Sequence, residues 1–174
     1  GAVMRREDLE EIAAVLRDKD IIVISDEIYS ELTYGGTPHV SIAEIEGMKE
    51  RTIVINGFSK AFAMTGWRLG YVCAQRDILS QMFKIHQYAI MCSPTVSQQA
   101  GIEAMEYGAE EVEMMKKEYN RRRRVMLQGF RDAGLDCYEP LGAFYLFPDI
   151  RKTGLSSEDF CERLLVEQKV LMVH

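Results

Sequence analysis

G-F-S-K-A-F-A-M-T-G-W-R-L-G, from Gly57 to Gly70, follows directly on the β-branched run Thr52-Ile53-Val54-Ile55 and the turn pair Asn56-Gly57. A short, continuous apolar run bounded by turn residues reads as a strand buried on both faces, the habit of a parallel sheet. The turn then delivers Lys60 just beyond the strand's carboxyl end. Upstream the same pattern occurs in Ile21-Ile22-Val23-Ile24, followed at once by polar Ser25-Asp26-Glu27, which puts Asp26 at a second strand end. Residues 69–74 make a third strand. Leu9, Ile12, Ala13 and Leu16 recur at helical spacing behind acidic Glu7-Asp8, so residues 5–18 read as an amphipathic helix. Alternation of helix and buried strand points to an α/β sheet, whose ligands bind in the crevice outside the carboxyl ends of the strands. Asp26 and Lys60 fall at that one edge.

Further along, residues 78–90 and then 96–133 read as helices, interrupted at Ser93-Pro94 and near Gly108. Residues 135–140, a Leu141-Gly142 turn and residues 143–147 read as a hairpin, and Ser156-Ser157-Glu158-Asp159 opens a helix running to Glu167. Residues 170–174 are an apolar, strand-shaped run with nothing after it to pair with. The expected division is a large α/β domain over 1–90, a connecting helical segment over 91–120 and a smaller α+β domain over 121–174. There is no internal repeat and no low-complexity tract.

Composition excludes several functions. A net charge of −6 argues against a nucleic-acid surface. The basic run from Arg121 to Arg124 follows Lys116, Lys117 and Glu118 on a helix and reads as a solvated face without function. Cys73, Cys92, Cys137 and Cys161 are scattered, and His39 and His86 are isolated, so neither a metal centre nor a disulfide framework is expected. No apolar run approaches a membrane span and no leader opens the chain, which suggests a reduced, cytoplasmic protein. Gly1 at the start and the apolar run at the end are what a piece of a longer protein would show. A nucleotide-binding P-loop is ruled out, because Phe58-Ser59 precede Lys60 and an alanine follows it.

A reactive lysine needs an electrophilic carbonyl, and Arg68 in the same run suits an anion such as a phosphate. Pyridoxal 5′-phosphate carries both. The run from Gly57 to Gly70, with Lys60, Gly66-Trp67-Arg68 and Leu69-Gly70-Tyr71 in register, resembles the lysine motif of the class I/II aminotransferases, pyridoxal-phosphate enzymes of fold type I. Asp26-Glu27-Ile28-Tyr29 is similar to that family's strand-end motif, and Leu141-Gly142-Ala143-Phe144-Tyr145 with Pro148 is similar to its small-domain hairpin.

The resemblance implies part of a mainly parallel sheet with flanking helices, plus a small α+β domain. It implies that Lys60 holds the cofactor as a Schiff base and later shuttles a proton, and that Asp26 pairs with the pyridine nitrogen. Tyr29 would donate to the ring's 3′-oxygen, Arg68 would grip the phosphate, and Ser59 would add a hydroxyl to it. At Gly57 relatives often carry a serine, so that phosphate contact is lost here or passes to a backbone N–H. Trp67 is expected to pack rather than to stack on the cofactor. An asparagine ahead of Gly1, a glycine-rich phosphate turn, a ring-stacking aromatic and a carboxylate-binding arginine beyond His174 are expected in the whole enzyme, which relatives build as a homodimer. The implied reaction moves an amino group between an amino acid and a 2-oxo acid. An eliminating β-lyase of the same fold, or a non-catalytic fragment, are the alternatives.

Overall fold

The computed structural model describes residues 1–174. β1 (Val23–Asp26) and β2 (Thr52–Gly57) run parallel, with Val23 opposite Thr52 and Asp26 opposite Ile55. β3 (Gly70–Cys73) runs antiparallel to β2, so the sheet order is β1-β2-β3. The α/β reading holds, but the mainly parallel sheet is represented by one parallel and one antiparallel ladder. The links explain the difference. Residues 27–51 are long enough to cross over and return a strand in the same direction, whereas the Lys60 segment doubles back without a crossover helix. Gly57 and Gly70 pair at that return, and a Cβ on Gly57 would stand 3.0 Å from the Gly70 Cα and from the Leu69 carbonyl oxygen.

The start of β2 is buried on both faces, as expected, through Thr52 and Ile53, but β1 is not: Ile24 is 67% exposed and Ile21 and Ile22 lie exposed ahead of β1. Only one face of β1 is covered. There α1 (Arg6–Leu16) packs Leu9 and Ala13 against Ile42, Ile45 and Met48, with Val23 beneath. Asp8 accepts from the Arg5 N–H at 2.8 Å, and Arg51 donates to the Leu16 carbonyl at 2.8 Å, so each helix end has a side-chain partner.

α2 (Arg76–Ala89), α3 (Thr95–Tyr107) and α4 (Ala109–Asp132) follow. At the break, Gly108 leaves no room for a side chain, since a Cβ there would lie 2.5 Å from the Ala104 carbonyl oxygen and 3.1 Å from the Phe62 ring. None of these helices is long and apolar enough to cross a membrane. The basic run on α4 is not wholly a solvated face. Arg123 is 9% exposed, donates to Glu139 and to the Pro140 carbonyl at 2.9 Å each, and lies 5.2 Å from the centre of the Tyr34 ring.

The expected hairpin shrinks to β4 (Asp136–Cys137) and β5 (Pro148–Asp149). The segment between them spends its backbone bonds elsewhere. Gly142 forms an isolated antiparallel bridge with Thr33, Tyr34 N–H donates to the Leu141 carbonyl at 2.7 Å, and Ala143 N–H donates to the Leu32 carbonyl at 2.8 Å. α5 (Ser157–Gln168) starts where expected, with the Ser156 hydroxyl accepting from Asp159 N–H at 3.1 Å. Residues 170–174, expected as a strand, have no regular structure: they find no partner strand.

Candidate active site

Lys60 lies on the β2–β3 link, which is wound tightly around Phe58. The Phe58 carbonyl accepts from Phe62 N–H and Met64 N–H, at 3.3 and 3.2 Å, and buried Phe58, Ala61 and Met64 anchor the link. The half-buried Lys60 side chain is thereby held with its Nζ 5.9 Å from the centre of the Tyr29 ring and 5.6 Å from that of Phe144. An ammonium over two ring faces is attracted by their quadrupoles.

Asp26 ends β1, and its Oδ1 accepts from Ile28 N–H at 3.1 Å, which turns the chain so that Tyr29 comes back over the sheet edge. Asn56 at the end of β2 reinforces the turn by donating to the Ser30 hydroxyl at 3.1 Å. Asp26, Tyr29 and Tyr145 line one cleft of about 460 Å³. The Tyr29 and Tyr145 hydroxyls are 2.8 Å apart. Burial, then the Tyr145 hydrogen bond and charge, then the Asp26 carboxylate hold the Tyr29 proton on well above the usual phenol range. A larger cleft of about 840 Å³, between β3 and α2, is lined by none of the expected site residues.

The remaining expected residues sit on the Lys60 link. Arg68 takes the left-handed conformation (φ 52°) and donates to the Thr65 carbonyl at 2.9 Å, leaving its guanidinium exposed. Ser59 is half-buried beside the lysine. Gly57 N–H is taken by Asn56 Oδ1 at 2.7 Å, so it is not free for a ligand in this arrangement. Trp67, expected to pack, is 43% exposed. Tyr29 thus meets Lys60 on one side and shares the 460 Å³ cleft with Asp26 on the other, whereas Lys60, Ser59 and Arg68 do not line that cleft, and Arg68 is carried by the same link as Lys60 with its own anchor.

Three groups were not read from the sequence as parts of this site. Phe144 and Tyr145 arrive from the far end of the chain, and Phe144 meets the Tyr29 ring edge-on at 5.4 Å. Glu27 is buried and accepts from Ser25 Oγ at 3.0 Å, Ser41 Oγ at 2.5 Å and His39 Nε2 at 2.9 Å. His39 is therefore not isolated. The only local signal was the Asp-Glu pair itself, because successive residues leaving a strand point to opposite sides.

This part of the molecule thus carries an amine beside two aromatic rings, a carboxylate at the neighbouring strand end, a phenol, and a guanidinium with one N–H engaged by the Thr65 carbonyl. Residues 1–174 all match the family Aminotransferase class I and II. The chain is similar to the aspartate aminotransferase of Pyrococcus abyssi, 47% identical over 99% of this chain, and to aromatic-amino-acid aminotransferase 2 of Thermococcus litoralis, 44% identical over 99%. It spans 45% of the length of each. Its fold superposes on the crystal structure of the aromatic aminotransferase from Pyrococcus horikoshii with a TM-score of 0.95 at 48% identity, covering 99% of this chain and 47% of that one. Sequence match over every residue and a backbone that follows a solved member leave one assignment: the chain belongs to the class I and II aminotransferases.

Proposed function

We propose that the chain is the lysine-bearing part of a pyridoxal-phosphate-dependent aminotransferase that moves an amino group between an amino acid and a 2-oxo acid. The observation that carries this reading is the Lys60 amine held against the Tyr29 ring, with the Asp26 carboxylate at the adjacent strand end.

The donor set fits pyridoxal 5′-phosphate group by group. Lys60 offers an amine to an aldehyde carbon, Asp26 a carboxylate to a protonated ring nitrogen, and Tyr29 a phenol to the 3′-oxygen. Arg68, with Ser59 beside the lysine, offers hydrogen-bond donors to a phosphate. When bound, pyridoxal phosphate supplies a sink for the electrons left at a substrate α-carbon. Asp26 would hold the ring nitrogen in its charged form by ion pairing. Lys60 would hold the cofactor through its aldehyde carbon and would serve as the base that moves a proton at the substrate α-carbon. Tyr29 would orient the ring through its phenol.

In the whole protein, residues 1–90 belong to the large cofactor domain, 91–120 to a connecting helical segment and 121–174 to the small domain. Its partners are the amino acid, the 2-oxo acid and a second copy in a homodimer, with no nucleic acid and no membrane, and it works in the cytoplasm.

The test is an absorption spectrum after adding pyridoxal phosphate, taken before and after borohydride, with Lys60→Ala as control. A visible band that borohydride abolishes, leaving the cofactor fixed on the Lys60 peptide, supports the reading. No band, or the same band in the control, overturns it for this chain.

A further inference from the structure

Ala143 is 9% exposed and sits at φ 55°, a left-handed conformation that a non-glycine residue keeps only when its surroundings impose it. Those surroundings are specific. Ala143 N–H donates to the Leu32 carbonyl at 2.8 Å, and the buried Tyr34 hydroxyl donates to the Ala143 carbonyl at 2.6 Å. Gly142 bridges Thr33, and a Cβ there would lie 3.3 Å from the Leu32 carbonyl oxygen. Arg123 closes the arrangement, donating to the Pro140 carbonyl with its guanidinium over the Tyr34 ring. The product of this strained turn is the direction of the next two side chains. Phe144 goes edge-on to Tyr29 and is backed by Tyr119 of α4, stacked at 5.4 Å, while Tyr145 reaches the Tyr29 hydroxyl.

We infer that Tyr145 is a positioning residue for Tyr29: its phenol donates to the Tyr29 oxygen, so that the Tyr29 hydrogen is left to be given to an acceptor beside Lys60. The inference rests on the reading of Lys60 and Tyr29 given under Proposed function. Either oxygen of the pair can act as donor in the present arrangement. A ligand oxygen accepting from Tyr29 selects one of the two, because a hydroxyl has one hydrogen to give. The other groups facing Tyr29 are Asp26 from β1, which disfavours a phenolate, and the Lys60 ammonium from the β2–β3 link. Neither can donate to the Tyr29 oxygen in the way Tyr145 does: a carboxylate has no hydrogen to give, and the ammonium lies over the ring face. Tyr145 comes from the C-terminal segment, so the Tyr29 hydrogen is directed only while that segment is seated on residues 32–34.

The experiment compares the wild-type chain with Tyr145→Phe, Tyr29→Phe and the double variant, each checked for fold by circular dichroism, and reads two signals. Without cofactor, phenolate absorbance is titrated. In Tyr145→Phe the Tyr29 phenol, the one absent from the double variant, should ionise at a pH displaced from the wild-type value by about half a unit or more, the equivalent of one lost neutral hydrogen bond. With pyridoxal phosphate, the pH midpoint of the visible band should move in Tyr145→Phe, and that movement should vanish when Tyr29 is already phenylalanine. A folded Tyr145→Phe chain with both midpoints at wild-type values, or a band shift of equal size with and without Tyr29, overturns the inference. A wild-type chain with no borohydride-fixable band removes the cofactor reading, and the phenol titration alone then decides the pairing. Should Tyr145→Phe lose its fold, Tyr34→Phe keeps both phenols and releases the Ala143 carbonyl. It should give part of the same phenol shift, and no shift counts against the inference.

Discussion

His39 Nε2 lies 2.9 Å from Glu27 Oε2, joining the loop that follows β1 to a carboxylate that is only 7% exposed. Asp26 is exposed at the cleft, while Glu27, the next residue and part of the same cleft wall, is buried among three donors. The buried carboxylate ties Ser25, His39 and Ser41 together directly behind the residue expected to face the cofactor.

Removing that acceptor leaves three donors without a partner. Glu27→Ala should cost about 2–3 kcal/mol in a urea melt, and Glu27→Gln, which keeps one acceptor oxygen, distinctly less. A loss below about 0.5 kcal/mol for Glu27→Ala would show that the cluster is solvated rather than structural.

Arg123 serves three partners with one planar group: Asn120 Oδ1 at 3.0 Å, Glu139 Oε1 and the Pro140 carbonyl. Glu139 is exposed, so the ion pair itself is worth little, and most of the effect lies in the buried carbonyl and the Tyr34 ring. Arg123→Ala should destabilise by about 2 kcal/mol, and Arg123→Lys should recover little of it because an ammonium lacks the fork geometry. Full recovery by lysine in denaturant melts would reduce the residue to a point charge.

Lys60→Ala should abolish covalent capture of pyridoxal phosphate. Arg68→Ala should leave capture possible but weaken affinity roughly 10- to 100-fold, the worth of charged hydrogen bonds to a phosphate. Titration of the visible band measures both. Equal affinity in Arg68→Ala and wild type would move the phosphate site elsewhere.

Tyr29 predicts the alkaline side of the stability profile. Burial is the largest cause of its raised pKa, followed by Tyr145 and then Asp26, so the folded value lies above the unfolded one. The stability it contributes is fully present below the ordinary phenol value near pH ~10 and drains away as pH rises beyond it. Thermal midpoints measured across that range should fall less steeply in Tyr29→Phe than in wild type. Parallel curves would mean the unfolded chain protects the phenol equally.

Much of the site was readable along the chain. The β-branched runs ending at Asp26 and ahead of Lys60 were legible as strands because strand periodicity acts within a few residues, whereas Asn56-Gly57, read as a turn, continues β2 and pairs with Tyr71 and Gly70. Helix limits at Gly108 and Ser156 were legible from signals equally local. The exposed face of Ile24 and the unpaired run at 170–174 were not, since burial and pairing depend on which surfaces are present to cover them.

The amino-acid order by itself determined the chemistry at the strand ends, the position of Lys60 just past β2, and the succession of elements around it. Tertiary structure alone decided that Tyr145 meets Tyr29, that His39 meets Glu27, and that Arg123 is buried over Tyr34. Each of those contacts joins separate elements across a distance of a few ångströms. It forms only after the Gly142 bridge and the left-handed turn at Ala143 bring the two surfaces together, and no local preference encodes that approach.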